Sequence, residues 1–163
     1  AYTRTLIPDL EESMARTERD TVSSCNNLAL RKAARYLSAT YDKALAPTGL
    51  RATQFSILQK LSTQEQITIT CLADMIAMDR TTLATNLKPL AREGLVTVEA
   101  SPTDRRARIV TLTPDGLARM KAALPYWRTV QSEFEESFGS DKAAQLRAAL
   151  EDVLSTGFHP WAE

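Results

Sequence analysis

The chain contains one histidine, His159, near its C-terminal end. A single imidazole excludes a histidine metal cluster, a Ser-His-Asp triad and a histidine acid/base pair. Its two cysteines, Cys25 and Cys71, lie far apart with no C-x-x-C spacing, so neither a disulfide framework nor a cysteine metal cage is expected. Both read as reduced thiols, with Cys71 packed beside Leu72. The five glycines, Gly49, Gly94, Gly116, Gly139 and Gly157, never cluster, which excludes the glycine-rich cradles of P-loop and dinucleotide-binding folds. No nucleophile with a base and no metal set assembles from what is left, so no enzyme activity, metal or cofactor is expected.

Net charge is also missing: twenty Lys and Arg balance twenty Asp and Glu. A charged partner must therefore be met by a local patch. Apolar runs stay at a few residues, well short of the roughly 18 to 20 that span a bilayer, and no N-terminal stretch resembles a signal peptide. The expectation is a soluble cytoplasmic protein with no membrane partner. With 163 residues, 44% of them hydrophobic, the chain can bury a real core.

Residues 1–23 are polar and weakly periodic, an arm or a short helix. From Asn26 to Ala46 apolar residues recur at three- and four-residue steps (Leu30, Ala33, Ala34, Leu37, Tyr41, Ala44, Leu45), which predicts an amphipathic helix stopped by Pro47 and Gly49. A second helix is predicted over Ala52 to Ser62. Two short helices follow, one capped by Thr70 and carrying Leu72, Ala73 and Ile76, the other capped by Asp79 and carrying Leu83, Leu87 and Leu90. Pro89 lies inside the latter and removes one backbone donor.

After Gly94 the period changes. Leu95 to Glu99 and Arg108 to Leu112 are β-branched runs joined by a polar turn, the pattern of a hairpin. Thr113-Pro114-Asp115-Gly116 then supplies a capping hydroxyl, a proline at the first helical position and an acid in the first turn. The stripe Leu117, Met120, Leu124, Trp127, Phe134 and Phe138 predicts a long helix, kinked or broken at Pro125. Gly139 ends it, and Ser140 is placed to cap a last helix with Ala143, Leu146, Leu150, Val153 and Leu154 on one face.

Two short helices, a tight turn, a hairpin and a capped helix give the order of a winged helix-turn-helix unit. The fold class is therefore mainly α with a small β-hairpin. The expected organisation is an N-terminal arm and dimerisation helix over residues 1–50, the winged unit over 51–113, and C-terminal dimerisation helices over 114–163. Opposite its apolar stripe the second short helix offers Arg80, Thr81, Thr82, Thr85, Asn86 and Lys88, groups that bond base edges and phosphates in a major groove. At the hairpin tip, Asp104-Arg105-Arg106-Ala107-Arg108 sets three arginines within four residues, suited to phosphates or a minor groove. Asp104 could hold one guanidinium. From Arg80 to Arg108 six cations face three acids, so the neutral chain separates a basic head from an acidic body. Double-stranded DNA is the partner this implies.

The runs Leu72 to Leu83, Leu90-Ala91-Arg92-Glu93-Gly94-Leu95-Val96, and Asp104-Arg105-Arg106 through Thr113-Pro114-Asp115-Gly116 together resemble the multiple antibiotic resistance regulator (MarR) family, over roughly Asn26 to Leu154. The resemblance implies a homodimeric transcriptional regulator, chiefly of the repressor type, on a pseudo-palindromic operator. It puts Arg80 to Lys88 on the reading helix and matches Asp104 and Arg106 to the wing's Asp-x-Arg, with Arg106 entering the minor groove. It also implies release by a small aromatic or phenolic effector, for which Tyr36, Tyr41, Phe55 and Trp127 are the aromatic residues available to line a cleft; core packing is their other reading. The hydroperoxide-sensing branch of the family implies a redox role for Cys25, although Cys25 comes two residues early and Ala52 stands where one of the branch's tyrosines belongs. A winged module that binds protein instead of DNA is the remaining alternative.

Overall fold

A computed structural model of the protein describes residues 24–104 and 106–157. The N-terminal arm, Arg105 of the wing, and the tail with His159 and Pro160 lie outside them. The chain divides into two compact units, Ala1–Ala39 and Thr40–Glu163. The first contributes the start of helix α1 (Asn26–Leu45), where Leu28, Leu30 and Tyr36 are exposed, Tyr36 to 73%.

The second unit holds the last turn of α1, a 3₁₀ turn (Ala46–Thr48), α2 (Ala52–Leu61), β1 (Ile67–Thr68), α3 (Ile69–Met75), α4 (Arg80–Arg92), β2 (Val96–Ala100), β3 (Arg108–Leu112), α5 (Pro114–Phe138) and α6 (Ser140–Ser155). The expected helices and hairpin are present. What the sequence reading missed is β1, which pairs antiparallel with β3 through Ile67 opposite Val110 and Thr68 opposite Ile109 and makes a sheet ordered β1-β3-β2. Because β1 runs straight into α3, the cap of that helix moves forward. Thr68, not Thr70, accepts the N–H of Cys71 at 3.1 Å.

The core gathers Leu45, Leu50, Phe55, Ile57, Leu58, Leu61, Leu72, Leu83, Leu87, Leu90, Leu95 and Val110, all at 2% exposure or less. The buried face of α3 is Leu72 and Ala73, so Cys71 points to solvent instead of packing. Neither internal proline ends its helix: α4 continues three residues past Pro89 and α5 thirteen past Pro125. Each loses one hydrogen bond, but the flanking turns are anchored by buried residues, among them Leu87 and Leu90 in α4 and Ala123 and Val130 in α5.

The long stripe on α5 divides. Met120 and Ala123 are buried, and Leu117, Leu124 and Trp127 pack against the core, so the first half of the stripe is satisfied within this unit. Phe134 and Phe138 stack on each other at 5.3 Å, with Phe138 exposed. Ser140 does not cap α6. Gly139, at φ +97°, ends α5 and begins α6, donating its N–H to the Glu135 carbonyl and accepting that of Ala143.

A polar chain ties the last turn of α1 to α5 and α6. The Tyr41 hydroxyl donates to Gln131 Oε1, Gln131 Nε2 donates to Glu135 Oε1 at 2.7 Å, and Arg147 donates to the same oxygen at 2.8 Å. The Gln131 and Arg147 donors hold the Glu135 carboxyl below its usual value, while burial, then the Glu135 charge, push the Tyr41 hydroxyl up.

Candidate nucleic-acid interface

Helices α3 and α4 are joined by Ile76 to Asp79, a turn that requires Ala77 in the left-handed region at φ +50°. The N–H groups of Ala77 and Met78 close back on the carbonyls of Asp74 and Ala73, satisfying the end of α3. Asp79 then caps α4, its Oδ1 accepting the Thr82 N–H at 2.9 Å. With Leu83, Leu87 and Leu90 buried, α4 presents Arg80, Thr81, Thr82, Thr85 and Lys88 outward, with Asn86 half-buried. Two of these side chains are turned onto their own helix: Thr85 Oγ1 donates to the Thr81 carbonyl and Asn86 Nδ2 to that of Thr82.

Hydrogen bonding from Thr82, its hydroxyl first and its backbone N–H second, holds the Asp79 carboxyl below the usual carboxylate value. A lowered folded-state pKa gives stability that is present above the unfolded value and lost as pH falls through the folded one. Asp79→Asn keeps an acceptor at the cap but does not titrate. The melting temperature of the wild type should therefore exceed that of Asp79→Asn at neutral pH, and the gap should close as pH falls below the carboxylate range. A gap independent of pH would contradict this account of the cap.

At the wing, β2 and β3 pair up to Ala100 opposite Arg108. Asp104 Oδ1 accepts the backbone N–H of Arg106 at 2.9 Å, so the carboxylate shapes the turn beneath the arginine, where the sequence suggested that it held a guanidinium. Arg106 and Arg108 are exposed. At the base of the wing, Thr113 Oγ1 donates to the Gly94 carbonyl at 2.7 Å and accepts from Gly116 N at 3.0 Å, while Thr113 N donates to the Leu95 carbonyl. One residue thus fastens the hairpin and α5 to the end of α4.

These elements enclose a cleft of about 410 Å³ whose polar lining is Thr68, Thr70, Arg80, Thr81, Arg106 and Arg108. The structure therefore brings the start of α4 together with Arg106 and Arg108 of the wing, and adds Thr68 and Thr70. Those two escaped notice because they read as a loop and a helix cap.

The aromatic candidates behave differently. Phe55 is buried and stacks on Trp127 at 6.0 Å, and Tyr41 bonds Gln131, one turn beyond Trp127. Tyr36 belongs to the other unit. Cys25 is exposed, and its sulfur accepts the Leu28 N–H at 3.5 Å at the start of α1. Among the described residues no cluster of histidine, cysteine and carboxylate side chains could hold a metal ion, and no helix is long and apolar enough to cross a membrane.

Comparison with known proteins agrees with this architecture. Residues 50–107, from Leu50 through β3's approach, match the MarR family. The transcriptional regulator MosR of M. tuberculosis, solved in complex with DNA, is 40% identical over 80% of this chain and 98% of its own, with a TM-score of 0.68. The transcriptional repressor CouR, bound to a 23-mer DNA duplex, is 27% identical over 81% of this chain and 94% of its own, with a TM-score of 0.72. The organic hydroperoxide resistance transcriptional regulator of Bacillus subtilis (strain 168) is 28% identical over 122 residues, 75% of this chain and 82% of that protein. A winged helix-turn-helix with this arrangement of reading helix and wing, alike in sequence to such regulators over most of its length, belongs to the MarR family of transcriptional regulators.

Proposed function

We propose that this MarR-family regulator is a homodimeric repressor that reads a pseudo-palindromic DNA site through α4 and the wing. The observation that carries the reading is the cleft where Arg80, Arg106 and Arg108 converge with the exposed Thr70 and Thr81 and the half-buried Thr68. Three cations and three hydroxyls on one concave face suit phosphates and groove edges. Thr82, Thr85, Asn86 and Lys88 extend that face along α4, and Asp104 shapes the wing turn; Arg105, the other candidate there, lies outside the described residues. The DNA complexes of MosR and CouR support the same partner.

Residues 51–113 act as the reading unit, and residues 1–50 with 114–163 assemble the dimer. Support comes from apolar side chains left exposed on the helices outside the reading unit: Leu28, Leu30 and Tyr36 on α1, Phe138 on α5, and Leu150, Val153 and Leu154 on α6. Exposure of this kind on terminal helices suits an isologous interface. A small aromatic effector would act beside Tyr41, Phe55 and Trp127. Support for this placement is the Tyr41–Gln131 bond, which sets a polar group one turn from Trp127, itself stacked on Phe55.

The test is a titration of the purified protein into short duplexes from upstream of its own gene and into random duplexes, with the mass of the complex measured. Two chains per duplex and preference for one sequence are expected. Indifference to every duplex at low salt would replace this reading with the protein-binding module.

A second reading concerns Cys25. Its exposed sulfur at the start of α1 accepts a backbone N–H, and the Bacillus subtilis relative is named for hydroperoxide resistance. Under this reading peroxide releases DNA from the wild type and not from Cys25→Ser. Release from both proteins would exclude Cys25 as the sensor.

A further inference from the structure

Ser101, just past the end of β2, is buried at 8% exposure within an otherwise exposed wing turn. Its N–H donates to the Ala107 carbonyl at 2.9 Å, extending the β2–β3 ladder by one bond. Its Oγ accepts the N–H groups of Thr103 and Asp104, each at 3.3 Å. A hydroxyl has two lone pairs and one proton. With both lone pairs engaged, the Ser101 proton goes to Thr103 Oγ1, 3.1 Å away. Every bonding position of the side chain is used inside the turn.

The consequence reaches Arg106 through Asp104. Ser101 fixes the Asp104 N–H, the Asp104 carbonyl accepts the Ala107 N–H at 3.0 Å, and the Asp104 carboxylate accepts the Arg106 N–H at 2.9 Å. We infer that Ser101 is a positioning residue for DNA recognition: from inside the wing it fixes the backbone that aims Arg106 at the duplex, and touches no DNA itself. This rests on the reading of Arg106 as a DNA contact. Deleting the hydroxyl leaves two N–H groups without their acceptor, so the turn opens and Arg106 spreads over many directions before binding. The order is then restored at the expense of affinity.

The test uses a short duplex selected by the full-length wild-type protein from a random pool, and compares Ser101→Ala, Arg106→Ala, the double variant and Ser101→Asn. Ser101→Ala should weaken binding about five- to tenfold with the melting temperature of the protein nearly unchanged. In the Arg106→Ala background the same substitution should have almost no further effect, because the side chain it aims is gone. Ser101→Asn, which restores a side-chain acceptor, should recover most of the affinity. A general structural role would instead carry the full loss into the double variant, and that result overturns the inference. So does full affinity in Ser101→Ala when Arg106→Ala is impaired. Full affinity in Arg106→Ala would overturn the DNA reading of the wing, and the positioning role with it.

Discussion

Gly116→Ala is expected to cost the fold at least about 3 kcal/mol. A Cβ built on Gly116 would lie 2.0 Å from the Leu95 carbonyl oxygen, 2.9 Å from the carbon of that group and 2.7 Å from Leu112 Cδ1. The leucine side chain could turn aside, but the carbonyl could not. It accepts the Thr113 N–H at 3.1 Å and belongs to the segment that closes α4 onto β2. Moving it would pull apart the Thr113 junction, where Gly94, Leu95 and Gly116 meet. Against a typical domain stability of about 5 to 15 kcal/mol, such a loss removes much of the margin. Gly94→Ala is the informative control. A Cβ there would meet nothing within 4 Å, although φ is +72°, so only the left-handed backbone is penalised, by about 1 to 2 kcal/mol. Urea unfolding of the three proteins checks the order, and Gly116→Ala as stable as the wild type would refute the close contact.

Arg106→Ala should weaken DNA binding by about 1 to 3 kcal/mol while leaving folding untouched. The side chain is exposed and the turn beneath it is held by Asp104 and Ser101 through backbone groups, so its removal disturbs no packing. In the free protein it lines the cleft with Arg80 and Arg108, and a guanidinium that meets a phosphate there would release counterions from the duplex. Parallel measurement of melting temperature and duplex affinity separates the two effects; a fall in both together would place Arg106 in the fold and not in recognition.

The helices and the hairpin were legible because amphipathic spacing and caps act locally: Asp79, Thr113 and Gly94 sit where their chemistry demands, and Leu83, Leu87 and Leu90 mark the buried face of α4 unaided. The exposed polar face of α4 and the exposure of Arg106 and Arg108 followed from the same patterns. Strand β1 did not, because two residues cannot display an alternation, and its pairing with β3 spans more than forty residues of sequence. That pairing also moved the cap from Thr70 to Thr68. The contact between Phe55 and Trp127 is of the same long-range kind, so sequence could nominate the aromatics and could not bring them together. Ser101 was hidden for a different reason. A serine in a polar turn looks solvated until the turn is seen to close over it. Thr85 and Asn86 were legible as polar groups away from the apolar stripe of α4, while their bonds to carbonyls one turn back depend on rotamers that no spacing encodes.

A cleft between α4 and the wing that meets the phosphate backbone and grooves of DNA must reveal itself in the salt dependence of binding. The most direct test is the equilibrium constant for the wild type and Arg106→Ala on one selected duplex across a series of salt concentrations. The account predicts a linear fall of log K with log salt for the wild type, and for Arg106→Ala a weaker constant with a shallower slope, by about one if the guanidinium meets a single phosphate. Equal constants and equal slopes for the two proteins, or no dependence on salt at all, would contradict it.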